Sequence, residues 1–86
     1  MTWRVEWAKE AVKDTRRLDR PTRERIVRAV ERLAEMGQGD LIRLKKPLTG
    51  HRLRVGDWRV FLQLDTASKR ILVRQVRPRG SAYDRN

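Results

Sequence analysis

HRLRVGDWRVFLQL, residues 51–64, decides how the chain folds. Leu53, Val55, Val60, Leu62 and Leu64 recur at the two-residue period of a strand. Gly56-Asp57 between the two runs fits a two-residue turn, because glycine tolerates the positive φ such turns need. Pairing outward from that turn sets Val55 against Trp58, Arg54 against Arg59, Leu53 against Val60 and Arg52 against Phe61. One face of the hairpin then carries Leu53, Val55, Val60 and Leu62 into a core. The other carries Arg52, Arg54, Arg59 and Phe61. Directly opposed like charges destabilise a sheet. The facing of Arg54 and Arg59 therefore points to an anion brought from outside.

Downstream, residues 66–69 make a second turn and residues 70–76 (RILVRQV) a further strand. A four-residue loop sets Asp65 against Arg70, Leu64 against Ile71, Leu62 against Val73 and Phe61 against Arg74. This register keeps Ile71 and Val73 in the core and adds Arg74 to the arginine face. The tail, residues 77–86, is polar, bears Pro and Gly, and reads as irregular. It holds Arg77, Arg79 and Tyr83.

Upstream, residues 2–7 (TWRVEW) alternate as a half-buried strand, with Trp3, Val5 and Trp7 on the core side. Residues 8–18 switch to helical spacing, with Ala8, Ala11, Val12, Thr15 and Leu18 inside. Lys9, Glu10, Lys13, Asp14, Arg16 and Arg17 are expected outside. Pro21 suits the first turn of a second helix, which runs to about Met36 and is capped by Gly37. Its inner face holds Ile26, Ala29, Val30, Leu33 and Met36 or Gly37. Residues 38–49 (QGDLIRLKKPLT) read as a linker lying on the body. Lys45 and Lys46 there are either solvated charge or auxiliary phosphate contacts. The expected class is α+β in one domain, residues 1–86. It has an N-terminal strand, a helical hairpin and an antiparallel β-meander, with both helices on one face of the sheet.

Composition narrows the function. The 86 residues suffice for one small core. No cysteine is present, which excludes disulfides, thiolate metal sites and cysteine nucleophiles. No signal peptide or membrane span is expected, so a cytoplasmic protein is. Net charge is +11, unevenly placed: residues 1–42 hold 10 Lys/Arg against 8 Asp/Glu, and residues 43–86 hold 12 against 3. Such a one-signed field favours a polyanion, most commonly nucleic acid.

Guanidinium groups bind phosphate bidentately and stay charged at any usable pH. Phe61 and Tyr83 offer rings for bases. Arg74 and Arg77 add phosphate contacts. A single-stranded RNA or DNA segment is thus the expected ligand. The basic half has Asp57, Asp65 and Asp84 as its acids, in turns and tail, so no carboxylate cluster for a metal ion is indicated and no cofactor is expected. His51 is the single histidine, which excludes a two-histidine ribonuclease site; it falls on the core side and reads as structural. Metal-free transesterification remains. In it an RNA 2′-hydroxyl attacks the adjacent phosphate and arginines stabilise the developing charge. Binding without chemistry would use the same arginines.

The stretches LTGHRLRVGDWRVFLQL and RILVRQVRPRGSAY resemble the RelE/ParE toxin superfamily, specifically its RelE branch. The hairpin run matches His51–Val60 in order, and the ending V-x-x-R-x-x-x-Y matches Val76, Arg79 and Tyr83. The resemblance extends over nearly the whole chain. It implies a type II toxin, an endoribonuclease cutting mRNA in the ribosomal A site, with a cognate antitoxin that covers the basic face. Carried over by position, the family's catalytic residues are Arg52 and Arg54 on the first hairpin strand and Arg59 on the next. Arg79 follows the last strand, and Tyr83 is the C-terminal tyrosine that stacks on a base. Some members carry Lys where Arg52 and Arg54 stand. The sister ParE branch, directed at DNA gyrase, shares the fold but not these RNA-cleaving residues.

Overall fold

The computed structural model describes residues 2–80. Seven elements follow in order: β1 (Arg4–Trp7), α1 (Lys9–Arg16), α2 (Arg20–Met36), β2 (Asp40–Arg43), β3 (His51–Val55), β4 (Trp58–Asp65) and β5 (Arg70–Pro78). The strands form one sheet in the order β1-β5-β4-β3-β2. The expected α+β architecture is therefore present, with two additions. Strand β1 lies parallel to β5, Arg4 against Arg70 through Trp7 against Val73. The two helices carry the chain from β1 at one edge of the sheet to the strand at the other edge. And the expected linker contains a strand, β2, antiparallel to β3.

Local chemistry sets the helix ends. The Asp19 carboxylate accepts from the Thr22 N–H at 3.3 Å, and Pro21 sits in the first turn of α2, where a missing N–H costs nothing. Gly37 ends the helix in the left-handed region, its N–H donating to the Leu33 carbonyl at 2.9 Å. Met36, expected inside as an alternative to Gly37, is 68 % exposed on the last residue of the helix.

One cluster forms the core. Ala11, Ile26, Val30, Leu33 and Ala34 of the helices meet Leu53, Val55, Val60, Leu62, Ile71, Val73 and Val76 of the sheet. Each large aliphatic side chain so buried contributes about 1.5–3 kcal/mol. Trp3, Val5, Trp7 and Trp58 pack against the cluster from its margins. Among the described residues, no helix is long and apolar enough to cross a membrane.

The hairpin register is as expected over all four pairs, from Val55 against Trp58 to Arg52 against Phe61, and continues to His51 against Leu62. Gly56 takes φ 59° in the turn, a conformation that strains a side-chain-bearing residue, and the Arg25 guanidinium of α2 lies across it. The β4–β5 register departs from expectation at one point. It is regular from Asp65 against Arg70 to Leu62 against Val73; then a bulge intervenes and Phe61 faces Gln75. Arg74 is the extra residue. The bulge lets Val73 and Val76, three apart, both enter the core, which strict alternation forbids.

Candidate nucleic-acid interface

Alternation sends two cross-strand rows to the face opposite the helices. One row runs Ile42, Arg52, Phe61, Gln75 and the other Asp40, Arg54, Arg59, Arg77, each across β2, β3, β4 and β5. Three arginines thus stand side by side, one more than the hairpin alone revealed. The protein settles each of them differently.

Arg54 reaches outward to β2. Its Nη2 lies 2.6 Å from the Asp40 carboxylate, and both side chains are about half exposed. An acid does oppose Arg54, on the strand hidden in the expected linker. Arg59 is turned along its strand toward the hairpin turn. It is 7 % exposed, and its Nη1 donates to the carbonyls of Gly56 at 2.9 Å and Trp58 at 3.1 Å. It is expected open on this face; the structure makes it an enclosed positive charge fixed against the turn carbonyls. Arg77 leaves the face altogether. Strand β1 stops opposite Val73, so the outer edge of β5 beyond that point is free, and α1 packs there. Arg77 Nη1 lies 2.6 Å from Asp14 Oδ2, and Nη2 lies 3.0 Å from Glu10 Oε1.

Asp14 was expected on the solvent side of α1 and is instead 7 % exposed. The same Oδ2 accepts from the Val76 N–H at 2.9 Å, supplying the partner that a missing strand would have provided. Burial opposes the charge on Arg77, but hydrogen bonds and attraction from Asp14 and Glu10 outweigh it and raise the pKa above the ordinary arginine value. Arg77 is therefore a structural cation at the sheet edge and not the open RNA contact its sequence position indicated.

The remaining candidates divide similarly. Arg52 is half-buried on β3 and Arg74 is exposed at the bulge. Lys45 and Lys46 are exposed in the β2–β3 connection. That connection folds back: the Leu44 N–H donates to the Gly50 carbonyl, and Gly50, at φ 94°, lies so close to the Leu62 carbonyl that a Cβ has no space. Leu44, Pro47 and Leu48 consequently wall a cleft of about 270 Å³ with Phe61 in it and Arg74 at its side. Phe61 keeps 6 % of its surface exposed. It is packed under this loop and is not the open stacking platform expected of it. Arg79 is exposed just past β5, and its N–H donates to the Asp57 carbonyl at 2.7 Å, which ties the exit of the last strand to the hairpin tip. Tyr83 lies outside the described residues. His51 is half-buried on the core side, its Nδ1 enclosed without a hydrogen-bond partner among the described residues. Burial first, then the nearby Arg43 charge, lowers its pKa from 6.5. No group of three or more His, Asp or Glu side chains among the described residues is placed to hold a metal ion.

The arrangement is a basic sheet face with Arg52 and Arg54 on β3, Arg59 fixed beside them on β4, and Arg79 beside the turn. Solved structures share its frame. The archaeal RelE–RelB complex from Pyrococcus horikoshii OT3 matches with 30 % identity and a TM-score of 0.79, covering 95 % of this chain and 100 % of that one. The RelB–RelE antitoxin–toxin complex from Methanococcus jannaschii matches at 26 % identity and 0.71, covering 92 % and 95 %. The toxin–antitoxin complex RelBE2 from Mycobacterium tuberculosis, at 20 % identity, shares the fold with a TM-score of 0.81 over 92 % and 100 %. Comparison with curated protein sequences gives no match. The family model described as "ParE toxin of type II toxin-antitoxin system" matches residues 5–83, and the chain belongs to that family, within the RelE/ParE toxin superfamily.

Proposed function

We propose that this type II toxin is a metal-free endoribonuclease that cuts mRNA in the ribosomal A site and so arrests translation in the cytoplasm. The observation carrying this reading is the shared face of Arg52, Arg54 and Arg59, with Arg79 tied to the hairpin tip beside them. In the proposed step the RNA 2′-oxygen attacks the neighbouring phosphorus. The bond from phosphorus to the 5′-oxygen breaks, leaving a 2′,3′-cyclic phosphate and a 5′-hydroxyl. Charge gathers on the non-bridging oxygens as the phosphorane forms. Fixed cations that need no reorganisation stabilise that charge best, and Arg59, held by two carbonyls, is such a cation. Arg54 is the movable one. Its pair with Asp40 is solvent-exposed and of the kind worth about 0–1 kcal/mol, so a phosphate can displace the carboxylate. Tyr83 is assigned by sequence position to base stacking and proton transfer. An antitoxin that covers the basic face is the expected protein partner, as the RelE neighbours are complexes with RelB.

Primer extension on mRNA in a translation reaction tests the proposal. Codon-phased breaks that need both ribosomes and toxin, and vanish with Arg54→Ala, support it. The ParE name of the matching family favours a second reading, inhibition of DNA gyrase. Blocked supercoiling with intact mRNA would establish that reading in place of cleavage.

A further inference from the structure

Outside the sheet face, a cleft of about 720 Å³ lies between α1 and the edge of β5 that β1 does not cover. Lys9, Lys13 and Arg17 line it from the helix, and Trp58 and Pro78 from the sheet. The three cations are exposed and stand four residues apart along α1 and its C-cap. Residues four apart on a helix are neighbours, and like charges at that spacing repel. Two acids lie within the same cleft and would ordinarily relieve this. Glu10 and Asp14 instead turn to Arg77, which holds both of them. Arg77 offsets one of these two negative charges, so the cleft keeps a net positive charge, with the three cations of the helix over a wall containing an indole and a proline ring.

We infer that this cleft is a second RNA site, which takes the sugar-phosphate backbone of a strand running off the sheet face. Four helical residues rise about 6 Å, close to the step from one phosphate to the next along an RNA strand. A strand can thus meet Lys9, Lys13 and Arg17 with successive phosphates. Half-buried Trp58 and exposed Pro78 give a base or ribose an apolar surface to lie on. The path is continuous, because Pro78 at the cleft adjoins Arg79, whose N–H is tied to the hairpin turn at Asp57. The inference shares one premise with the proposed function, that RNA is the ligand. It does not depend on cleavage.

The test is fluorescence anisotropy of the full-length protein with a labelled 12-nucleotide single-stranded RNA lacking a reactive 2′-hydroxyl, titrated at several KCl concentrations. Each phosphate contact on a single strand contributes about 0.7 to the slope of log affinity against log salt. The triple variant Lys9→Ala, Lys13→Ala, Arg17→Ala should lower the slope by about 2. The charge-retaining variant Lys9→Arg, Lys13→Arg, Arg17→Lys should restore it. An unchanged slope on this RNA overturns the inference. So does a triple variant that loses binding to polyglutamate while its RNA slope holds, since an acidic protein segment would then be the occupant. Primer extension on the same variants separates the two readings. RNA that binds through α1 but is never cut removes the nuclease and leaves the second site standing.

Discussion

Arg54 and Arg77 flank the same buried arginine in one row of the sheet, yet their carboxylate partners put them in opposite situations. The Arg54–Asp40 pair is open to water, with side-chain exposures of 60 % and 48 %, and joins adjacent strands. The Arg77–Asp14 pair is enclosed, at 24 % and 7 %, and joins residues far apart in sequence. Water screens the first pair and lets it exchange partners. The second is a fixture, because breaking it strands a charge away from water. The difference separates binding from building within a single line of like residues: the β2–β3 side can give up its carboxylate to a phosphate, and the β5–α1 side cannot.

The strongest way to break this contrast is at Asp14. Asp14→Ala leaves the Val76 N–H without its acceptor and Arg77 with Glu10 alone of its two carboxylates, and should cost about 3 kcal/mol in urea unfolding. Asp14→Asn, which keeps an acceptor for the amide, should cost less. A loss below about 1 kcal/mol for the alanine variant would place both pairs in the same class. On the other side, Arg54→Ala and Asp40→Asn should each change stability by no more than about 1 kcal/mol. Their effects on RNA affinity should be opposite in anisotropy titrations: Arg54→Ala weakens binding, and Asp40→Asn strengthens it by removing the competing anion. Salt sharpens the same point. Raising ionic strength from 0.1 to 1 M shortens the screening length from about 10 to about 3 Å. The coupling of Arg54 with Asp40 in a double-mutant cycle should then vanish, and that of Arg77 with Asp14 should persist.

The smallest expected effect lies in pH and touches the β2–β3 side through His51. Its pKa is lowered in the folded chain, so the unfolded chain binds a proton more readily. The stability that neutral His51 contributes is complete above the unfolded value of 6.5 and is lost as pH falls from there through the folded value. Unfolding midpoints between pH 7.5 and 5 should show this decline, and His51→Gln should flatten it.

What could be read from the chain follows the range of the interactions. The hairpin register was legible because the Gly56-Asp57 turn and the alternation of Leu53, Val55, Val60 and Leu62 are local and agree. The ends of α2 were legible for the same reason, through Asp19, Pro21 and Gly37. Strand β2 was not. It is four residues long at the sheet margin, and Leu41-Ile42 interrupts alternation with two adjacent apolar residues. Missing it hid Asp40 and made the Arg54–Arg59 opposition look wholly unrelieved. The partners of Arg77 were out of reach, since helical spacing set Asp14 with the solvated residues and only tertiary packing brings α1 to the edge of β5. Of the candidate site, the common face of residues 52, 54 and 59 was readable from alternation. The sinking of Arg59 and Phe61 was not, because alternation gives a side and not a depth.

The bulge in β5 has a bearing on how this sheet tolerates insertion and deletion. Arg74 has no counterpart across the ladder, so excising it would let Val73 and Gln75 meet Leu62 and Phe61 as ordinary consecutive pairs, with Val76 still opposite Val60. Removing Leu72 or Val76 instead would put every residue on one side of the cut out of phase with its partners. The strand thus contains a single place where its length is negotiable, and the residue that occupies it is a cation on the surface rather than a member of the core.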